Sequence, residues 1–119
     1  MSDEIPILWR DEHYLVVHKP AGLLVHRSSI AKEVQEALLQ KLRNQLKQRI
    51  YLVHRLDRPT SGALLVALNS DAANKAVELF ETRQIHKEYL AVIRGHLKDT
   101  IRVDHALREE PDRPAQDEQ

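Results

Sequence analysis

The sequence predicts an α+β fold in which a mixed, mainly antiparallel sheet is backed by helices. Two observations support this prediction: short β-branched and aromatic runs recur along the chain, and two segments between them carry apolar residues at helical spacing. The chain has 119 residues, of which 42% are hydrophobic and 30% are charged. This is enough for one globular core, and the apolar content argues against a disordered protein.

The elements follow one another along the chain. Residues 5–9 and 14–17 predict a hairpin, because the polar residues 11–13 separate them. Apolar residues at four-residue spacing predict an amphipathic helix from Ser29 to about Lys47. The remaining predicted elements are a strand at 51–53, a strand at 63–68, a helix that Ser70 caps, a central strand at 86–94 and a short strand at 101–103.

Charge and composition narrow the classes of function. Cysteine is absent, and no apolar run reaches the roughly 20 residues of a membrane span, so we expect a cytoplasmic protein without thiolate metal sites. Residues 1–103 hold 16 Lys and Arg against 12 Asp and Glu, whereas residues 104–119 hold 2 against 6. The basic body suits a polyanion such as RNA, or simply a solvated mixed-charge surface. We expect the acidic residues 109–119 to form a flexible tail.

Residues 54–62 form the most informative segment. They place the Asp57 carboxylate at a turn, with Arg55 two positions before it and Arg58 directly after it. Neighbouring guanidiniums favour an ionised carboxylate, so this is the layout of a nucleophile or of an anion-tuned binding site. The residues alone leave that choice open, and an aspartate in such a segment is often only a turn residue.

Three segments together resemble the RluA-type pseudouridine synthases. They are residues 19–22 (Lys-Pro-Ala-Gly), residues 54–62 and residues 87–95, and they occur in the order and at the spacings of that family. The resemblance covers residues 5–108, and residues 24–28 favour the branch that modifies tRNA. It implies an isomerase that converts uridine to pseudouridine in RNA with no cofactor and no metal. The RNA would be tRNA or, as the alternative, large-subunit ribosomal RNA.

The resemblance also implies roles for single residues. Asp57 would be the catalytic carboxylate beside the ribose, acting either by covalent attack or by stabilising charge at C1′. Arg55 would fill the space that the flipped base leaves, and His54 and Arg58 would join it as substrate-binding residues. Tyr89 would pack against the base and assist proton removal. From the residue types alone, Tyr89 is a core residue of a strand, Arg55 is part of a salt bridge, and His54 packs near the turn rather than transferring protons.

The family pattern continues beyond the matching segments. Family members carry a later Arg-Thr-Gly-Arg-x-His-Gln element, and nothing after Val103 resembles it. We therefore expect residues 1–108 to be the N-terminal part of a pseudouridine synthase catalytic domain. The alternative is a catalytically inactive chain that at most binds RNA. Lys19 and Gly22 are expected to shape the loop beside the site.

Overall fold

A computed structural model describes residues 4–23, 25 and 37–105 of the chain. The chain divides into two units, residues 1–87 and residues 88–119. Every helix and strand of the described residues belongs to the first unit: β1 (Ile7–Arg10), β2 (Tyr14–Lys19), α1 (Leu38–Leu46), β3 (Tyr51–Leu52), β4 (Gly62–Ala67) and α2 (Ser70–Glu81).

β1 and β2 form the predicted hairpin. They pair antiparallel, with Ile7 opposite Val17. Asp11 makes the turn between them, because its carboxylate accepts hydrogen bonds from the backbone N–H groups of His13 at 2.8 Å and Tyr14 at 2.7 Å. Aspartate favours turns through this kind of local bond.

The four strands form one sheet in the order β1-β2-β4-β3. All three pairings are antiparallel, which confirms the predicted mainly antiparallel sheet backed by helices. β2 and β4 are the central strands, and their register ends with Lys19 opposite Gly62. Because side chains alternate along a strand, Lys19 points to the same face as Leu15 and Val17.

α1 covers one face of the sheet. Leu38 and Leu42 of the helix pack with aliphatic residues from both central strands. The fully buried aliphatic side chains of this face are Leu15, Val17, Leu38, Leu42, Ile50, Leu64 and Val66. The helix was predicted to begin at Ser29, and residues 29–36 lie outside the described residues. It ends where Lys47 adopts the left-handed conformation.

α2 covers the opposite face, where the packing residues are smaller. Ala72, Ala73 and Ala76 of the helix form a second cluster with Ala67 of β4. Since Ala67 alternates with Val66 along β4, the two clusters lie on different faces. Small residues allow the helix to lie close to the strands.

The predicted cap of α2 at Ser70 is wrong, because Asn69 caps the helix. The Asn69 side chain accepts a hydrogen bond from the N–H of Ala72 at 2.8 Å. An N-cap residue must have extended backbone, and Asn69 has φ −150° and ψ 163°, whereas Ser70 is already helical.

The predicted strands at 86–94 and 101–103 do not form. Residues 88–105, the described part of the second unit, contain no helix and no strand. Leu90 and Val92 are fully exposed. A run that is apolar on both faces becomes a strand only where neighbouring strands accept its backbone hydrogen bonds, and no strand of the described residues pairs with this one.

The predicted flexible tail at 109–119 lies outside the described residues. Within residues 4–23, 25 and 37–105, no helix is both long and apolar enough to cross a membrane.

Candidate active site

Asp57 opens a tight turn between β3 and β4. Its carbonyl accepts a hydrogen bond from the N–H of Thr60 at 2.9 Å, and the first position of such a turn suits aspartate. The preceding residue, Leu56, is buried in the aliphatic core of the α1 face. Asp57 is exposed, and no described residue donates a hydrogen bond to its carboxylate. The turn therefore presents an open carboxylate on an anchored backbone.

Residues 20–22, which follow β2, are hydrogen-bonded to this turn. The N–H of Gly22 donates to the carbonyl of Arg58 at 2.7 Å, and Nε of Arg58 donates to the carbonyl of Gly22 at 3.1 Å. Gly22 has φ +90°, a backbone conformation that glycine adopts without steric cost. As expected from the sequence, Gly22 shapes the loop beside the site.

Lys19, the last residue of β2, holds the two loops together. Its residue exposure is 0%, so the side chain is fully buried. Its Nζ donates to the carbonyl oxygens of Pro20 at 3.1 Å, Arg58 at 2.9 Å and Thr60 at 2.6 Å. An ammonium group has three N–H donors, so these three carbonyls match its full capacity. The buried charge is therefore compensated by the backbone of the loops that it joins.

The charge of Lys19 is coupled to that of Asp57. Burial lowers the pKa of the Lys19 ammonium, and the nearby Asp57 carboxylate raises it. The two groups therefore attract each other, and solvent screens the attraction because Asp57 is exposed. This gives the turn a fixed positive charge beside its open carboxylate.

The two arginines that flank Asp57 in sequence make no ion pair with it. In the described part of the chain, neither Arg55 nor Arg58 forms an ion pair with Asp57. The Arg58 guanidinium bonds to the Gly22 carbonyl instead. Arg55 is exposed and forms no hydrogen bond with a described residue. The buried Lys19, in contrast, reaches the turn from another strand.

His54 fastens the segment that leads into the turn. Its Nε2 accepts a hydrogen bond from the backbone N–H of Leu65 in β4 at 3.1 Å. Its ring stacks on Phe80 of α2, with ring centroids 4.5 Å apart and planes inclined by 20°. Burial lowers the pKa of His54, and the positive charge of Lys87 lowers it further. The ring therefore packs near the turn, as the sequence analysis expected.

Tyr89 belongs to the second unit. It lies on a segment without regular structure, and its side chain is 60% exposed. It is therefore not the buried strand residue that its apolar surroundings predicted. Its role as a catalytic residue stays a prediction.

The sequence analysis missed the charge that Lys19 brings to the site. A signal for it was present in β2, because alternation from the inward residues Leu15 and Val17 places Lys19 inward as well. A lysine is rarely buried unless its ammonium is paired. An inward lysine directly before a proline therefore indicates a buried cation that binds nearby carbonyls.

The geometry can support carboxylate chemistry. An exposed carboxylate on an anchored turn can attack an electrophilic carbon or stabilise positive charge that develops on a sugar. Within the residues that the structure describes, no group of three or more His, Cys, Asp or Glu side chains could hold a metal ion.

Comparison with known proteins identifies the class. The sequence model of the family described as RNA pseudouridylate synthase matches residues 13–119, which include Lys19, His54 and Asp57. The chain belongs to this family, as the three sequence segments predicted.

The chain is also similar to individual members of the family. It is 48% identical over 111 residues to tRNA pseudouridine synthase C of Yersinia pestis, a match that covers 93% of this chain and 43% of the relative. It is 46% identical over 105 residues to tRNA pseudouridine synthase C of Haemophilus ducreyi, covering 88% of this chain and 43% of the relative.

Solved structures agree with the family. Human RNA Pseudouridylate Synthase Domain Containing 1 matches with a TM-score of 0.55 and 32% identity, over 68% of this chain and 29% of that one. Human RNA Pseudouridylate Synthase Domain Containing 4 matches with a TM-score of 0.53 and 37% identity, over 66% and 30% of the two chains. The chain thus spans less than half the length of the curated relatives that it matches.

Proposed function

We propose that Asp57 is the catalytic carboxylate of an isomerase that converts uridine to pseudouridine in RNA, with tRNA as the substrate. The observation that carries the proposal is the open Asp57 carboxylate on a turn that the buried Lys19 ammonium holds in place. The family to which the chain belongs supports the reaction, and the names of its relatives support tRNA. Large-subunit ribosomal RNA is the alternative substrate.

The reaction exchanges one bond of the nucleoside for another. The bond between C1′ and N1 breaks, a bond between C1′ and C5 forms, and the C5 proton moves to solvent while N1 gains one. Asp57 either bonds to C1′ during this exchange or stabilises the positive charge that develops there. Neither route requires a cofactor or a metal.

We assign three different tasks to the other predicted site residues. A target uridine in a folded RNA must first leave its stack. Arg55 is exposed and free of hydrogen bonds to described residues, so it can occupy the space of the flipped base. Arg58 and His54 bond to the protein backbone, which suits a role in holding the substrate-binding loop. We assign Tyr89 to packing against the base and to proton removal at C5.

The test is tritium release from tRNA labelled at uridine C5. The purified 119-residue chain should release tritium, and Asp57→Asn should reduce release to background, because the amide cannot serve as a carboxylate nucleophile. Asp99→Asn, which changes another exposed aspartate, should leave release unchanged. Full activity of Asp57→Asn would reject the proposed role. A labelled ribosomal RNA transcript in a parallel reaction distinguishes the two substrates.

RNA binding without isomerisation is the second candidate function. It is favoured by the absence of helix and strand in residues 88–105, because a tyrosine that orients a base must itself be held in place. Under this alternative the parent chain releases no tritium but retains tRNA on a filter. The retention should weaken steeply with salt, since phosphate contacts dominate such affinity.

A further inference from the structure

The β3–β4 ladder ends after two residue pairs, and beyond its end a side chain accepts the next backbone hydrogen bond of β4. Tyr51 pairs with Ala67 and Leu52 pairs with Val66, and no further pairs follow on this side of β4. The next residue of β4, Leu65, directs its backbone N–H to the side of β4 on which β3 has already ended. Nε2 of His54 accepts that N–H instead, at 3.1 Å.

This bond fixes the protonation state of the imidazole. A nitrogen that accepts an N–H must carry a lone pair, so the ring is neutral and its proton is on Nδ1. Stacking on Phe80 holds the ring plane against α2. An imidazolium would present an N–H to the Leu65 N–H, and the bond would be lost.

The surroundings of His54 favour this neutral form. Burial lowers the pKa of His54, with the positive charge of Lys87 as the second cause. β4 carries no ionisable side chain. The charged residues of α2 all lie at exposed positions, and they are Asp71, Lys75, Glu78 and Glu81.

We propose that His54 is a positioning residue whose neutral, Nδ1-protonated imidazole ends the β3–β4 ladder and fixes where the chain leaves the sheet towards Asp57. Asp57 follows only three positions later, and Leu56 is buried between them. The position at which the chain leaves the sheet therefore sets where the Asp57 turn begins. The catalytic meaning of this role rests on the function proposed for Asp57, whereas the structural role does not.

The experiment measures amide hydrogen exchange and histidine ring nitrogen shifts by NMR in the full 119-residue chain. At pH 7.5, Nδ1 of His54 should be protonated and Nε2 should not be. His54→Phe keeps a stacking ring without an acceptor, so protection of the Leu65 amide should fall about tenfold relative to the amides of the β2–β4 ladder. The Thr60 amide, which donates within the Asp57 turn, should lose protection with it.

His54→Gln is the matched variant, because its carbonyl oxygen accepts a hydrogen bond but does not titrate. It should restore Leu65 protection and keep it constant as the pH falls, whereas protection in the parent chain should fall as His54 becomes charged. An Nε2-protonated ring in the parent would overturn the proposal, and this measurement does not depend on any variant folding. Unchanged protection of Leu65 in His54→Phe would also overturn it. None of these readouts needs turnover, so they can fail while tritium release succeeds, and the reverse.

Discussion

Two polar side chains on opposite faces of the sheet fix the Asp57 segment, and they do so in different charge states. Lys19 comes from the α1 face, among large aliphatic residues, and binds three carbonyls as an ammonium. His54 contacts Phe80 on the α2 face, among alanines, and accepts one N–H as a neutral ring. The backbone explains the difference, because carbonyl oxygens bind a donor such as an ammonium, whereas an N–H outside the ladder binds an acceptor such as a neutral imidazole. Four predictions test how much the two faces differ in their contributions to the free energy of unfolding.

The largest effect is expected from Lys19→Met, which removes the buried ammonium that donates to three backbone carbonyls. A hydrogen bond from a charged group contributes about 1.5–3 kcal/mol, so we expect a loss of about 4 kcal/mol in the free energy of unfolding. Urea unfolding followed by circular dichroism measures it. Lys75→Met, at an exposed position of α2, is the control and should change little. Equal stability of the two variants would show that the ammonium does not hold the turn.

The next effect compares the hydrophobic packing of the two faces. Leu42→Ala removes a fully buried side chain from the α1 face and should cost about 3 kcal/mol, because it leaves a cavity. Ala76→Gly on the α2 face removes one methyl group and should cost about 1 kcal/mol, mainly through helix propensity. The same unfolding curves give both values. A larger loss for Ala76→Gly than for Leu42→Ala would reverse the assignment of the main core to the α1 face.

A smaller effect tests the cap of α2. Asn69→Ala removes the acceptor of the Ala72 N–H and should cost about 1 kcal/mol. Ser70→Ala should leave the free energy of unfolding nearly unchanged, since the structure gives Ser70 no capping bond. If Ser70→Ala proved the more damaging change, the cap would lie where the sequence first suggested.

The smallest effect is the pH dependence that His54 contributes. Its pKa is lowered on folding by burial and by Lys87, so the unfolded chain binds more protons between the folded pKa and the ordinary value of 6.5. The free energy of unfolding should therefore fall as the pH falls from 6.5 through the folded pKa, and this contribution should be constant above 6.5. His54→Gln should lose this slope, whereas His96→Gln, which changes an exposed histidine, should keep it. Parallel slopes for the parent and His54→Gln would contradict the neutral ring.

Local patterns predicted most of the first unit. Alternation and turn residues placed β1, β2 and β4, and helical spacing placed α2, because these patterns lie within short stretches of the sequence. The sequence pattern did not identify Asn69 as the cap, because three residues that favour N-caps are adjacent: Asn69, Ser70 and Asp71. Choosing among them requires the backbone angles.

The candidate site depended on contacts that the sequence does not display. The motif at 54–62 indicated Asp57, but it also suggested charge support from adjacent arginines. The buried cation beside the turn, Lys19, belongs to a strand that is remote in sequence, so only the β2–β4 register reveals it. The run at 86–94 shows the converse problem: its apolar residues fit a strand, but no strand of the described residues pairs with it.

The double hydrogen bond between Gly22 and Arg58 has a consequence for the order of folding. The two residues are 36 positions apart, so chain entropy opposes their meeting until other contacts have brought them together. The pairing of β2 with β4 does so, and the final shape of the Asp57 turn must therefore come after the sheet. A newly made chain would therefore carry the aspartate well before the loops around it reach their native arrangement.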